Sequence, residues 1–416
     1  MIIIRNFSEA NTALEPYAAA TPVAREAYTL GRMKKLLAAL DNPQDKLKII
    51  HVAGTSGKTS TCYYIAAMLT QAGRKVGLTV SPHVDEINER LQLDLLPLTE
   101  TEYCHVLTEF LELITPLPVQ PTYFELLVAM AFWYFERERV DYAVIEVGLG
   151  GLLDSTNVGS PVDKIAIITD IGLDHERILG TTLAEITAQK AGIIKSGDVV
   201  FCYQQAEEVS GVIRDRSGRA RAELYEITYD PIATAVSSLP RFQQRNWQLA
   251  AQVYDYVVER DGLKRLTSEQ LKFTQATYIP GRMEIITYKG KIIVLDGAHN
   301  PQKMTALTTS LRYIYTNQPI AALVAFKAGK DVRKTLNVVE LTAVHVIATQ
   351  FSETHGMQHT AATTETIVAA AASEKVESIP RLSEAFRALL SRPEPVLLVT
   401  GSFHLIQKVR ILINSP

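Results

Sequence analysis

The sequence predicts an α/β protein in two parts, each built around a mostly parallel sheet. Three observations carry that expectation. Short β-branched runs alternate with segments whose apolar residues recur at helical spacing, the pattern of strands covered on both faces by helices. The chain has 416 residues, too many for one compact core. A turn at Pro280-Gly281, followed by two alternating strands around Lys289-Gly290, breaks the rhythm before β/α units resume.

Taken in chain order, Lys48 to Ala53 reads as a buried strand and Thr59 to Gln71 as the helix after it. Val76 to Val80, Tyr142 to Val147 and Lys164 to Thr169 read as further strands. Thr122 to Glu138 has helical spacing, with Thr122 as N-cap and Glu125 three positions on, a capping box. Beyond the turn, Ile320 to Phe326, Ala343 to Ala348 and Pro395 to Val399 read as strands with helices between. The boundary is expected at about residue 286, giving domains 1–286 and 287–416, the second of ordinary domain size.

Composition excludes several functions. A hydrophobic content of 47% and an aromatic content of 7% suit a globular chain. A net charge of −3 gives no broad field for nucleic acid or an anionic membrane. Cys62, Cys104 and Cys202 lie far apart with no C-x-x-C spacing, so neither a zinc site nor a disulfide framework is expected. Three packing thiols fit a reducing cytoplasm. The N-terminus MIIIRNFSEA meets Arg5 after three isoleucines, too short for a signal-peptide core. No run approaches the ~18 apolar residues of a membrane span.

HVAGTSGKTS, His51 to Ser60, departs from the phosphate-loop pattern G-x-x-x-x-G-K-[ST]: Val52 stands where the first glycine belongs, and the glycine is Gly54. The loop nevertheless follows a buried strand and opens a helix. Gly54, Gly57 and the small Ser56 let backbone N–H groups point inward at an anion, and Lys58 adds charge toward the β- and γ-phosphates. The helix that follows offers its positive end, and Thr59 or Ser60 can reach a magnesium ion. The displaced glycine implies a tighter loop at a nucleotide site.

Other residues gather at strand ends. Glu146 ends YAVIEVG, Ser81 and His83 follow the strand ending at Val80, and His175 follows the strand ending at Thr169. C-terminal strand ends are where an open α/β sheet places ligands, so a convergent magnesium site is expected. Lys190, in QKAGIIK, reads from the residues alone as a surface lysine. LDGAHNP groups Asp296, His299 and Asn300 after a strand, with Gly297 turning the chain and Pro301 starting a helix. His355 and His359 are spaced i, i+4 without the glutamate of H-E-x-x-H and are assigned no role.

Together these segments resemble one family. LGRMKKLLAALDNP, HVAGTSGKTS, SPHVDEINER, PTYFELL, EVGLGG with LDSTNV, IGLDHERILG with QKAGIIKSG, PGRMEI, LDGAHNP and TGSF follow in order along nearly the whole chain. The chain resembles the folylpolyglutamate and dihydrofolate synthases of the Mur ligase superfamily. The resemblance implies a P-loop ATPase-type N-terminal domain and a smaller Rossmann-like C-terminal domain. It implies an ATP-dependent ligase that joins L-glutamate to a folate, and in some members to dihydropteroate, through an acyl phosphate.

By resemblance, residues Gly54 to Ser60 with Lys58 hold ATP phosphates, and Asn246, Arg282 and Asp296 contact ATP. Ser81, Glu146, His175 and Lys190 bind magnesium, up to two ions, with Lys190 carried as a carbamate; this reverses the surface reading of Lys190. Thr122, Tyr123, Phe124, Glu125, Leu153, Asp154 and Ser155 bind the pterin substrate, His83 and Ser402 join the substrate residues, and His299 joins the catalytic ones. A cytoplasmic monomer with small-molecule substrates is implied. This sequence departs from the family at Leu152, where arginine is usual, and at Phe242, where histidine is usual. Asn246 is kept, as are Lys330 and Asp331 of AGKD. Thr59 replaces the usual glycine and is nearer the peptidoglycan-precursor ligases, which leaves a Mur-type ligase as the second reading. A nucleotide-binding protein without catalysis is the third.

Overall fold

The structure, a computed structural model, describes residues 3–18, 29–159, 161, 163–229, 239–328, 331–351 and 360–414. Lys330, His355 and His359 lie outside the described residues. The chain divides into two compact units, Met1–Ser237 with Gln243–Thr277, and Ser238–Phe242 with Tyr278–Pro416.

The first unit carries strands β1 (Ile49–Ala53), β2 (Val76–Thr79), β3 (Gln92–Leu93), β4 (Leu96–Pro97), β5 (Tyr142–Glu146), β6 (Ile165–Ile168), β7 (Val199–Tyr203) and β8 (Glu223–Ile227). They form one sheet in the order β4-β3-β2-β5-β1-β6-β7-β8. From β2 to β8 all pairs are parallel, and β3 and β4 close one edge as antiparallel strands. β1 reads IIHVA and is buried throughout, as expected of a strand with helices on both faces. Because β5 and β6 flank it, the crevice beyond its C-terminal end is where the chain order reverses and where open sheets bind ligands.

Two helices frame that crevice. Lys58–Gln71 is buried from Thr59 to Leu69, so it is enclosed around its circumference rather than amphipathic. Tyr123–Arg137 starts at a full capping box: Thr122 Oγ1 accepts from Glu125 N, and Glu125 Oε2 accepts from Thr122 N. Its Leu126, Met130, Phe132 and Phe135 join Leu36, Leu107 and Phe110 in one cluster, each full burial contributing about 1.5–3 kcal/mol before conformational entropy is subtracted. No helix among the described residues is long and apolar enough to cross a membrane. Cys62, Cys104 and Cys202 are buried free thiols.

The second unit carries β9 (Glu284–Tyr288), β10 (Lys291–Asp296), β11 (Ile320–Val324), β12 (His345–Ala348), β13 (Val376–Ser378) and β14 (Val396–Thr400), in the order β13-β12-β11-β14-β10-β9. Only β9 among these is antiparallel, turning at Lys289-Gly290 into β10. The expected boundary at 286 falls inside β9. The division lies earlier, at Tyr278, because the hairpin commits all of β9 to the second sheet. Phe242, at a position expected to be histidine, packs against this unit's apolar core.

Candidate functional site

The loop after β1 is shaped by close approach. Gly54 has φ 152°, and a Cβ there would stand 1.8 Å from Thr169 Oγ1. Gly57 has φ 92°, and a Cβ there would stand 2.4 Å from Asn246 Oδ1. Both positions therefore need glycine for backbone and for space. Thr55 anchors the loop, donating its hydroxyl to Gly172 O at 3.0 Å and accepting from Gly172 N at 3.1 Å.

One expectation is corrected here. The N–H groups of Thr55 and Ser56 do not point at an anion; they donate to Asp170 O at 2.8 and 3.2 Å. The intrahelical ladder begins with Thr61 N to Gly57 O, so the N–H groups of Lys58, Thr59 and Ser60 stand at the helix mouth. That end of a helix accommodates a phosphate.

Around the loop, Lys58 Nζ and Lys190 Nζ both donate to Gly54 O, at 3.1 and 2.9 Å. Lys190 is 5% exposed, carried by the helix Leu183–Ala191, so the surface reading of its residue type is overturned. Glu146, the last residue of β5, is buried; Thr59 Oγ1 donates to its Oε1 at 2.9 Å and Ser81 N to its Oε2 at 3.1 Å. Thr59, Ser81 and Glu146 thus form one connected oxygen-rich group, of the hard-donor chemistry that suits magnesium.

The histidines are arranged differently from the expectation of convergence. His83 Nδ1 accepts from Arg90 Nε at 2.9 Å. His175 is exposed, has φ 53°, and its N–H donates to Asp174 Oδ1 at 3.0 Å. Among the described residues no three His, Cys, Asp or Glu side chains gather as a metal-holding group.

Of the residues expected at the pterin, Phe124 lines a small pocket, together with Ser81, Arg90, Leu127, Val128 and Glu146. Phe124 closes over Gly148, where a Cβ would stand 2.3 Å from its Cζ, and the Arg90 guanidinium lies 5.7 Å from the Tyr123 ring centre. Thr122 and Glu125 are instead consumed by their capping box, and Glu125 also pairs with Arg32 Nε at 2.6 Å.

Asp154 is likewise turned inward. It accepts from Leu149 N at 2.7 Å, Thr156 N at 3.0 Å and Thr156 Oγ1 at 2.5 Å. Thr156 Oγ1 in turn meets His51 Nε2 at 2.8 Å. Burial pushes the Asp154 carboxyl up and His51 well down, so this buried network holds the turn at 149–157 rather than presenting Asp154 to a ligand. Leu152 and Leu153 are exposed, and Ser155 is half-buried.

In the second unit, Asp296 ends β10. Its oxygens accept from Met283 N and Ala298 N, both at 2.8 Å. Burial pushes its pKa up to about 6, against the opposing pull of Arg282. Arg282 lies over the Phe403 ring at 4.5 Å. His299 Nδ1 lies 2.8 Å from Gly297 O, and a carbonyl only accepts, so Nδ1 carries the hydrogen and Nε2 is the acceptor facing Lys303 Nζ at 3.3 Å. Asn300 caps the helix Pro301–Ile314 through Lys303 N at 2.9 Å. Ser402 is buried, and its Oγ accepts from His404 N at 3.2 Å, so it serves the start of the helix Phe403–Asn414.

Sequence reasoning missed Asp170 and Arg245, which pair at 2.8 Å beside the loop. They are 75 positions apart and match no motif, so nothing short of the fold joins them.

The chain matches the Mur ligase middle domain over residues 52–230 and the Mur ligase, glutamate ligase domain over 281–403. Fold and loop together define an ATP-dependent ligase of the Mur type. The chain is 33% identical to the dihydrofolate synthase/folylpolyglutamate synthase of Bacillus subtilis, over 73% of this chain and 76% of that protein. It is 33% identical to dihydrofolate synthetase of Saccharomyces cerevisiae, over 79% of this chain and 82% of that protein. Mycobacterium tuberculosis folylpolyglutamate synthase complexed with ADP and AMPPCP superposes with TM-score 0.82 at 25% identity, covering 98% of this chain and 99% of that one. The chain belongs to the folylpolyglutamate synthase/dihydrofolate synthase family.

Proposed function

We propose that this protein joins L-glutamate to a folate using ATP, and that dihydropteroate is its second acceptor. The observation that carries the reading is Glu146, held by Thr59 and Ser81 at the mouth of the loop helix, in a chain whose relatives are folate glutamate ligases. The relatives named for folate and dihydrofolate favour it over a peptidoglycan-precursor acceptor.

In this reading the helix mouth and Lys58 hold the ATP phosphates, and Asn246 lies against Gly57. The pterin-bearing substrate is assigned to the surface beside Phe124 and Arg90, which line a small pocket, and Tyr123, His83, Leu153 and Ser155 are assigned to it by resemblance. A carboxylate oxygen of that substrate attacks the γ-phosphorus, the β–γ P–O bond breaks, and ADP leaves. The glutamate amine then attacks the acyl carbon, the C–O bond breaks, phosphate leaves, and the nitrogen gives up a proton. His299, with Nε2 as acceptor, is assigned to this half of the reaction. The protein's contribution is orientation, charge and water exclusion rather than covalent catalysis.

Magnesium, when bound, supplies charge neutralisation at the transferring phosphate. Glu146, Ser81 and Thr59 fit it as oxygen donors; His175 enters the reading through the family resemblance alone. Lys190 as an ammonium is a hydrogen-bond donor and does not fit a cation; as a carbamate it would present anionic oxygen. The reading has the enzyme work as a monomer in the cytoplasm, where three buried thiols stay reduced.

The test is an acceptor panel: purified protein with ATP, magnesium, glutamate and each pterin, with ADP release and product mass measured. Glutamate-dependent ADP release with a folate or dihydropteroate supports the reading; release only with a nucleotide-sugar precursor overturns it.

A further inference from the structure

The helix Arg241–Asp261 sets two adjacent side chains against the loop. Asn246 Oδ1 occupies the space where a Gly57 Cβ would be. Arg245, one residue before it, donates Nε to both oxygens of Asp170 at 3.1 Å and Nη2 to Oδ1 at 2.8 Å. The carbonyl of Asp170 is the one that accepts the N–H groups of Thr55 and Ser56.

The guanidinium is itself fixed. It stacks on the Tyr203 ring with its carbon 3.9 Å from the centroid, and the Tyr203 hydroxyl donates to the Arg245 carbonyl. Arg245 and Asp170 side chains are 23% and 29% exposed, so the pair is partly shielded from water and held in a forked geometry that lysine cannot reproduce. Asp170 would otherwise stand as an uncompensated carboxylate next to a site for triphosphate.

We propose that the Asp170–Arg245 pair is a positioning device for the ATP loop, fixing its backbone through the Asp170 carbonyl and cancelling a carboxylate charge that would repel the phosphates. The proposal rests on the ATP half of the reading above and is independent of which acceptor is used. Neither residue touches the reacting atoms, so both are positioning residues.

The test is magnesium-ATP titration by calorimetry, with steady-state KM for each substrate, on wild type, Asp170→Asn, Arg245→Gln and the double variant. Arg245→Gln leaves the carboxylate uncompensated and is expected to weaken ATP binding about tenfold; Asp170→Asn loses the forked anchor of the loop but also the repulsive charge, so its loss is smaller, about threefold. The double variant is expected to bind ATP better than Arg245→Gln alone, because the repulsive charge is gone. KM for ATP rises while KM for glutamate and acceptor stays within about twofold of wild type. The proposal is overturned if Arg245→Gln binds ATP as wild type does, if the double variant's loss is the product of the single losses, or if all three KM values rise together. Should Arg245→Gln not fold, Asp170→Asn and the double variant decide, and unchanged ATP affinity in Asp170→Asn overturns it. Wild type that binds no ATP overturns it too, whereas wild type that binds ATP but ligates no folate overturns only the acceptor reading.

Discussion

Thr59 Oγ1 donates a 2.9 Å hydrogen bond to Glu146 Oε1, so the first turn of the loop helix and the end of β5 meet through one hydroxyl and one carboxylate. β5 pairs directly with β1, with Glu146 opposite Val52, two positions before the loop glycine. The sheet register brings the strand end and the loop together, and the hydroxyl then orients the carboxylate. Thr59 therefore has a role here beyond its nearness to phosphate. In Thr59→Val the buried carboxylate loses a donor worth about 1.5–3 kcal/mol, or about 10- to 100-fold in kcat. ADP release against magnesium concentration checks this: the variant is expected to need more magnesium for its lower maximum rate.

Gly57→Ala tests the contact between the loop and the helix Arg241–Asp261. The new Cβ meets Asn246 Oδ1 at a positive φ, so strain and collision act together, at about 1–3 kcal/mol for the backbone alone. Thermal unfolding should show the variant destabilised, and the double variant with Asn246→Ala partly restored. ATP binding should stay weak in both, because the backbone strain persists and Asn246 is lost from the second.

Asp296 gives a pH prediction. Its folded pKa, about 6, lies above its ordinary 3.8, so the folded state holds the proton more tightly than the unfolded chain. The associated stability is fully present below pH 3.8 and is lost as pH rises through about 6. The difference amounts to about 3 kcal/mol. Urea unfolding of wild type against Asp296→Ala should therefore show wild type losing its relative stability between about pH 4 and 6, and no further change above.

Lys190 is tested by carbon dioxide. With the side chain buried against Gly54 O, the amine is expected to become an anionic oxygen donor only by carbamate formation. Activity in carbon-dioxide-depleted buffer should fall several-fold and return with bicarbonate, while Lys190→Met should be inactive with or without it. Activity indifferent to bicarbonate would remove the carbamate from the mechanism.

How much of this was legible in the sequence depends on whether the signal was local. Thr122 and Glu125 announced a capping box because a cap and its partner sit within one helical turn, and the box forms. That same closure engages the Thr122 hydroxyl oxygen and Glu125 Oε2 within the protein, a consequence that residue type alone does not reveal. Asp154 was expected at the pterin by resemblance, but Thr156 and Leu149 supply donors that let it be buried. Lys190 read as solvated because nothing near it in sequence hints that its helix aims it at Gly54 O. Asp170 and Arg245 were invisible for the same reason. The β9 hairpin was recognised, yet its boundary was misplaced because the turn at Pro280-Gly281 precedes the strand that belongs to the second sheet.

The central claim is glutamate ligation to a pterin acceptor, and mass spectrometry of the reaction product tests it most directly. With ATP, magnesium, L-glutamate and tetrahydrofolate or dihydropteroate, the account predicts a product heavier by one glutamyl residue for every ADP released. ADP release with no glutamyl product on any pterin, or a glutamyl product formed without ATP, would contradict it.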